Sequence, residues 1–193
     1  MRRKLLIGAV ITLFGFPLLG WAILYFSDEP KPLHIMLRGK ESLVIQVLIG
    51  AVSGLILGWG AKALISMKFL RTTLKKYASL IGEFRLKDLD IIFISFCAGF
   101  GEELLFRGSI QIFLGIWITA IVFVAIHGYL NPKNIKLSVY GIYMTLAIAV
   151  LGYITELIGV FASCIAHMAI DVILFYYLIG QSKKMKNQVS HEV

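Results

Sequence analysis

Charge is what this sequence has little of. Only 16 % of its 193 residues are Asp, Glu, Lys or Arg, where soluble domains carry about 25 %. Disorder requires few apolar residues and much charge, and here 59 % of the residues are apolar. That many apolar side chains cannot be hidden inside one water-soluble domain of this size, which argues against an ordinary cytosolic enzyme. An integral membrane protein remains, all-α, with room for about five to seven spans of ~20 residues each. Cysteine is scarce too. Cys97 and Cys164 lie in apolar stretches, with no CxxC partner and no His at zinc-finger spacing, so they read as small buried thiols rather than a disulfide framework. Acidic residues are few, 11 against 19 basic, for a net charge of +8. In a membrane protein that excess marks cytoplasmic loops facing anionic lipid, and nucleic acid is not an expected partner. There is no internal repeat, no low-complexity tract and no second globular domain.

The apolar runs give a polytopic transmembrane bundle of about six spans. Met1-Arg2-Arg3-Lys4 precedes an uncharged run, Leu5 to Phe26, longer than a signal-peptide core and without a small-x-small cleavage site, hence an uncleaved span. Ser27 to Glu41 reads as a loop. Ser42 to Ala61 is the second span, and its Gly50, Gly54 and Gly58 form a stripe that lets another helix approach closely. Between Lys62 and Lys87, Met67, Leu70, Leu74, Tyr77 and Ile81 recur at helical spacing among Lys68, Arg71, Lys75 and Lys76. This pattern predicts an amphipathic interfacial helix. Four further spans follow: Asp90 to Phe113, Ile116 to Tyr129, Leu137 to Ile154 and Gly159 to Ile179. Residues 1–87 thus form a two-span region plus basic interfacial helix, 88–180 the core, and 181–193 a loose cytosolic tail. With both termini cytosolic, fifteen of the 19 basic residues fall inside and only Lys31, Arg38, Lys40 and Arg107 outside, as the positive-inside rule requires.

Against this apolar background, six ionisable groups stand in span segments: Glu102, Glu103, Arg107, His127, His167 and Asp171. A charge at mid-bilayer costs about 2.5–3.5 kcal/mol even on lenient scales, so these groups are expected to face one another or a wet cavity. Glu103 and Arg107 are four residues apart, share a helix face and can pair. Glu102 is rotated by about 100° and stays free for chemistry. Phe123 can wall His127 at the same spacing, and His167 and Asp171 repeat it. If the chain turns at Leu114-Gly115, Glu102 and His127 both lie ~18 Å from the turn. One Glu, two His and one Asp from three helices then converge. The blander reading of each pair is an ion pair or interhelical staple.

A carboxylate in an apolar site suits a general base. Glu102 is expected to take a proton from water, His127 to hold that water or relay the proton, and His167 to donate to a peptide oxyanion. No Ser or Cys stands beside a base as a nucleophile. Zinc held by His127, His167 and Glu102 stays open as the competing mechanism, although HExxH is absent.

These residues resemble a family. Gly101-Glu102-Glu103-Leu104-Leu105-Phe106-Arg107-Gly108 looks like the EExxxR motif of the CPBP (CAAX protease and bacteriocin-processing, or Abi) intramembrane proteases. Phe123-Val-Ala-Ile-His127 is similar to their FxxxH motif, and His167-Met-Ala-Ile-Asp171 to their HxxxN/D motif. The resemblance covers about residues 88–180. It implies a membrane endopeptidase related to CAAX prenyl proteases, with Glu102 as base, His127, His167 and Asp171 lining the pocket, and Glu103 and Arg107 in support. It leaves the choice between metal and glutamate open. Many members carry Asn where this chain has Asp171, and a carboxylate there is expected to orient and charge His167. The expected partners are the lipid bilayer and a peptide or membrane-protein substrate. A non-catalytic bacteriocin-immunity protein and a proton-coupled transporter are the alternatives.

Overall fold

The computed structural model describes residues 1–27, 29 and 31–191, and side chains up to residue 188. Among the described residues its regular elements are all helices, with one isolated β-bridge between Gly39 and Gly159. The helices are α1 (Arg2–Phe26), α2 (Pro32–Met36), α3 (Leu43–Ile65), α4 (Arg71–Glu83), α5 (Asp88–Leu105), α6 (Gln111–Ile126), α7 (Ile135–Leu157) and α8 (Val160–His191). A 3₁₀ turn, Lys68–Leu70, leads into α4, and a π segment, Phe106–Ile110, joins α5 to α6. The all-α polytopic architecture is therefore as expected.

Among the described residues, five helical segments are long and apolar enough to cross a membrane, against six expected spans. The difference lies in Asp88–Ile126, a 39-residue helical segment that holds the expected third and fourth spans. No polar linker separates them. The backbone breaks at Gly115, with φ 71° and ψ 173°, a conformation that glycine reaches without a Cβ clash. Along a straight helix, residues 102 and 127 would be roughly 37 Å apart; their side chains are 3.6 Å apart. The chain therefore folds back at Gly115, where the sequence places its hairpin turn.

Packing runs through small residues. A Cβ at Gly54 would meet the Ala166 backbone, with Ala166 Cα at 2.7 Å, and one at Gly58 would stand 3.1 Å from Ile170 Cα. The glycine stripe of α3 thus seats α8. Gly101 likewise lies against Thr12 of α1, and Gly99 against Cys164 and Met168 of α8. Residues 1–87 are accordingly packed onto the core rather than set apart. The two cysteines are free and buried.

Interhelical contacts sort the bundle's two ends. At one end, Arg2 pairs with Asp90 at 2.7 Å, Ser66 donates to Tyr177 at 2.7 Å, and Tyr77 of α4 touches Tyr129. At the other, Gly39 bridges Gly159 and Arg38 pairs with Glu156 at 2.9 Å. The basic N-terminus, α4 and the far part of α8 share the first end.

Three local expectations are corrected. The amphipathic helix does not begin at Lys62: α3 continues to Ile65, because Lys62 rests its ammonium on the Trp59 ring at 3.6 Å and lies in the last turn, where a cation suits the helix dipole. Of the expected stripe, Leu70 and Leu74 are buried and Tyr77 and Ile81 half-buried, with Ala78 joining the buried face, while Met67 is exposed on the connector. The tail is not loose through its described part. Helix α8 runs on to His191, and Ser182 is buried against Gly82 of α4; residues 192 and 193 lie outside the described residues. In the expected loop from Ser27 to Glu41, Pro32–Met36 forms the short helix α2, and Asp28 and Pro30 lie outside the described residues.

Candidate active site

The site forms where α5, α6 and α8 meet. Glu103 and Arg107 straddle the junction of α5 with the π segment, and they pair at 3.1 Å with side-chain exposures of 0 % and 1 %. A π segment widens the helix by a residue per turn and recurs at functional sites. Arg107 also donates to the Ile148 carbonyl at 3.3 Å and lies 4.9 Å from the Phe123 ring centroid. Neither charge reaches solvent, so each depends on the other.

Glu103 has a second partner. Its Oε1 lies 2.8 Å from His167 Nδ1. A carboxylate can only accept, so Nδ1 carries the proton. The sequence pairs Glu103 with Arg107 correctly, but it gives His167 to Asp171. Asp171 Oδ2 does lie 3.8 Å from His167 Nε2, within ion-pair distance but beyond hydrogen-bond range. The ring is oriented by Glu103, from a helix whose relation to α8 no local spacing reveals.

Glu102, one residue earlier, points away from that pair as the 100° rotation requires. It is 15 % exposed, and its Oε2 lies 3.6 Å from His127 Nε2 and 4.0 Å from His167 Nε2. That oxygen is buried and makes no hydrogen bond within the protein. His127 caps the end of α6, with 35 % of its side chain exposed. Its Nδ1 lies 2.7 Å from the Phe123 carbonyl, an acceptor, so Nδ1 is the donor. In the neutral ring Nε2 then presents a lone pair toward Glu102. Phe123 stacks on His127 at 4.4 Å and meets His167 edge-on at 5.8 Å, walling both rings. All seven residues that the sequence singles out are thus brought together.

Zinc would need at least three such donors within about 2.0–2.2 Å of one point. Among the described residues no group of three or more His, Cys, Asp or Glu is arranged to hold a metal ion.

Beside Asp171 opens a cavity of about 240 Å³. Tyr77 and Ile81 of α4, Tyr129 of the 127–134 loop, Tyr140 of α7 and Leu174 and Leu178 of α8 line it. Sequence reading missed the two tyrosines Tyr129 and Tyr140. Their ring centroids are 5.5 Å apart, and Tyr129 stacks near His127 at 6.3 Å. The only local signal was Tyr129's position just after His127-Gly128. Burial pushes the Tyr77 and Tyr129 phenols above their ordinary range, so both remain neutral hydroxyls at physiological pH.

This geometry defines a class: a polytopic α-helical membrane protein with a carboxylate and two imidazoles at the meeting point of three helices, braced by a buried Glu–Arg pair. Comparison with known proteins makes the class specific. Residues 86–173 match the model of the family described as "Type II CAAX prenyl endopeptidase Rce1-like", and all seven site residues fall inside that range. The resemblance drawn from the three motifs is thereby shown at the level of the family. The Bacillus subtilis (strain 168) protein named "Uncharacterized protein YpbD" is 34 % identical over 85 residues. The match covers 43 % of this chain and 42 % of that protein, so this chain spans less than half the length of the curated relative it matches. No solved structure matches it.

Proposed function

We propose that this protein is an intramembrane endopeptidase that hydrolyses a peptide bond of a peptide or membrane-associated protein, using water activated by Glu102 without a metal ion. One observation carries the reading: the Glu102 Oε2 atom is buried, unpartnered within the protein and flanked by the two imidazoles at 3.6 and 4.0 Å. A water there donates one proton to Glu102 and the other toward the His127 Nε2 lone pair. Its oxygen attacks the scissile carbonyl carbon, and Glu102 passes the proton on to the leaving amine. With Nδ1 held by Glu103, His167 turns Nε2 toward the reacting group and, when protonated there, donates to the oxyanion. Glu103 and Arg107 hold that ring in place without touching substrate. Asp171 lines the pocket beside it. The match of residues 86–173 to a prenyl endopeptidase family supports the same reaction class.

The test uses the purified full chain in proteoliposomes with a peptide library. Glu102→Gln keeps the side chain's size and removes the base, so hydrolysis should fall by about 10²-fold or more while melting temperature holds. Chelator should leave the wild-type rate largely intact. One zinc per chain, lost in His127→Ala, would instead put the water on a metal and overturn the direct assignment. Full activity in Glu102→Gln would refute the role of Glu102 itself.

A further inference from the structure

The far end of α8 and the outer face of α4 carry a feature that the reaction does not use. Two cavities flank the seam between these helices. One, of about 270 Å³, is lined by Arg85, Lys183 and Lys186 together with Ile81, Leu86 and Ile179. The other, of about 550 Å³, is lined by Lys75, Lys76 and Lys186 with Ser79 and Met185. Both share Ser182 and Lys186. No acidic residue lines either cavity. Arg85, just past α4, adopts φ +50°, a left-handed backbone uncommon for a residue with a side chain.

The depth is set by neighbouring aromatics. Trp59 and Tyr176 are exposed, and Lys62 lies over the Trp59 and Tyr177 rings. Exposed Trp and Tyr collect at the boundary between hydrocarbon and headgroups. Ser182 follows Tyr177 by about 8 Å along α8, which brings the paired cavities to headgroup level. The groove there combines several cations and two hydroxyls with an apolar floor of Ile81, Leu86 and Ile179. Cations and hydroxyls suit a phosphate, and the apolar floor suits the upper part of acyl chains. A free phosphate would use only the first half of that surface.

We propose that the α4–α8 seam is a binding site for the headgroup of an anionic phospholipid. The cationic side chains hold the phosphodiester, and the apolar floor covers the glycerol and first methylenes. The assignment is independent of the hydrolytic reading, since none of the cations belongs to the candidate active site and only the apolar Ile81 also lines the cavity beside Asp171.

The full chain, purified in detergent, would be given an equimolar mixture of phosphatidylglycerol and phosphatidylcholine and examined by native mass spectrometry. Phosphatidylglycerol adducts should exceed phosphatidylcholine adducts by about tenfold. In the triple variant Arg85→Gln, Lys183→Gln, Lys186→Gln that ratio should fall toward one. All three positions are exposed, and the charge-keeping pair Lys183→Arg, Lys186→Arg should retain the preference, which separates lost charge from lost fold. Lys31→Gln with Lys40→Gln, at the opposite end, should change nothing. Excess inorganic phosphate should not displace the lipid. Equal retention of the two lipids, an unchanged ratio in the triple variant, or displacement by inorganic phosphate would each overturn the proposal.

Discussion

Replacing Glu103 by Gln tests the brace rather than the base. Glu103 accepts from His167 Nδ1 at 2.8 Å and pairs with Arg107 Nε at 3.1 Å. Gln keeps one acceptor oxygen but turns the other into an NH₂ donor. One of its two neighbours, both donors, then faces another donor. The remaining contacts of Arg107 are weak substitutes: the Ile148 carbonyl at 3.3 Å and the Phe123 ring at 4.9 Å. Breaking a buried pair from one side costs about 3–5 kcal/mol, because the surviving charge stays buried. For a chain of this size each kcal/mol moves the melting temperature by about 2–4 °C. The expected drop is therefore about 6–20 °C, accompanied by lower yield of monodisperse protein and loss of activity. Differential scanning fluorimetry in detergent, run beside Glu102→Gln, reads it directly. Glu102 makes no ion pair with Arg107, so that variant should melt like the parent. A shift below ~2 °C for Glu103→Gln with full activity would show that Arg107 does not rely on Glu103 and would refute the brace.

Two further outcomes follow from the packing and the charge distribution. Gly54→Val should block the approach of α3 to α8, since even a Cβ there meets the Ala166 backbone; overpacking of this kind costs about 1–3 kcal/mol or more. Gly8→Ala, where a Cβ meets nothing within 4 Å, is the matched control, and equal thermal stability of the two variants would refute the packing account. Orientation can be read by cysteine labelling in intact cells, in a background where Cys97 and Cys164 are replaced. Lys75→Cys and Met185→Cys should resist a membrane-impermeant maleimide, whereas Lys40→Cys should react, because the basic end of the bundle is expected to face the cytosol.

Some of this was legible because it is local. The helix class, the break at Gly115, the stripe at Gly50, Gly54 and Gly58, the Glu103–Arg107 pair and the stacking of Phe123 on His127 all follow from spacings within one helix or one turn. The span count was harder to read. The segment from Asp88 to Ile126 reverses with no polar linker, so hydropathy alone cannot separate one long helix from a hairpin. The end of α8 was misjudged for a related reason. Its polar composition looks like a solvated tail, but Ser182 fits against a glycine of α4 that lies a hundred positions earlier in the chain.

The sequence alone determined that the protein lives in a membrane, that it is helical, and which six ionisable side chains are too costly to bury unless they meet. Those are consequences of composition and of the 3.6-residue period. The tertiary structure alone decided how they meet. His167 and Glu103 are 64 residues apart and form a 2.8 Å hydrogen bond, while the nearer Asp171 stands off and faces the tyrosine-lined cavity instead. A spacing of four brings two residues to one helix face, but only the crossing of α5 and α8 selects which carboxylate reaches the imidazole. The same crossing leaves the Glu102 oxygen unpaired between two rings, because contacts between helices depend on packing that no single helix's sequence period encodes.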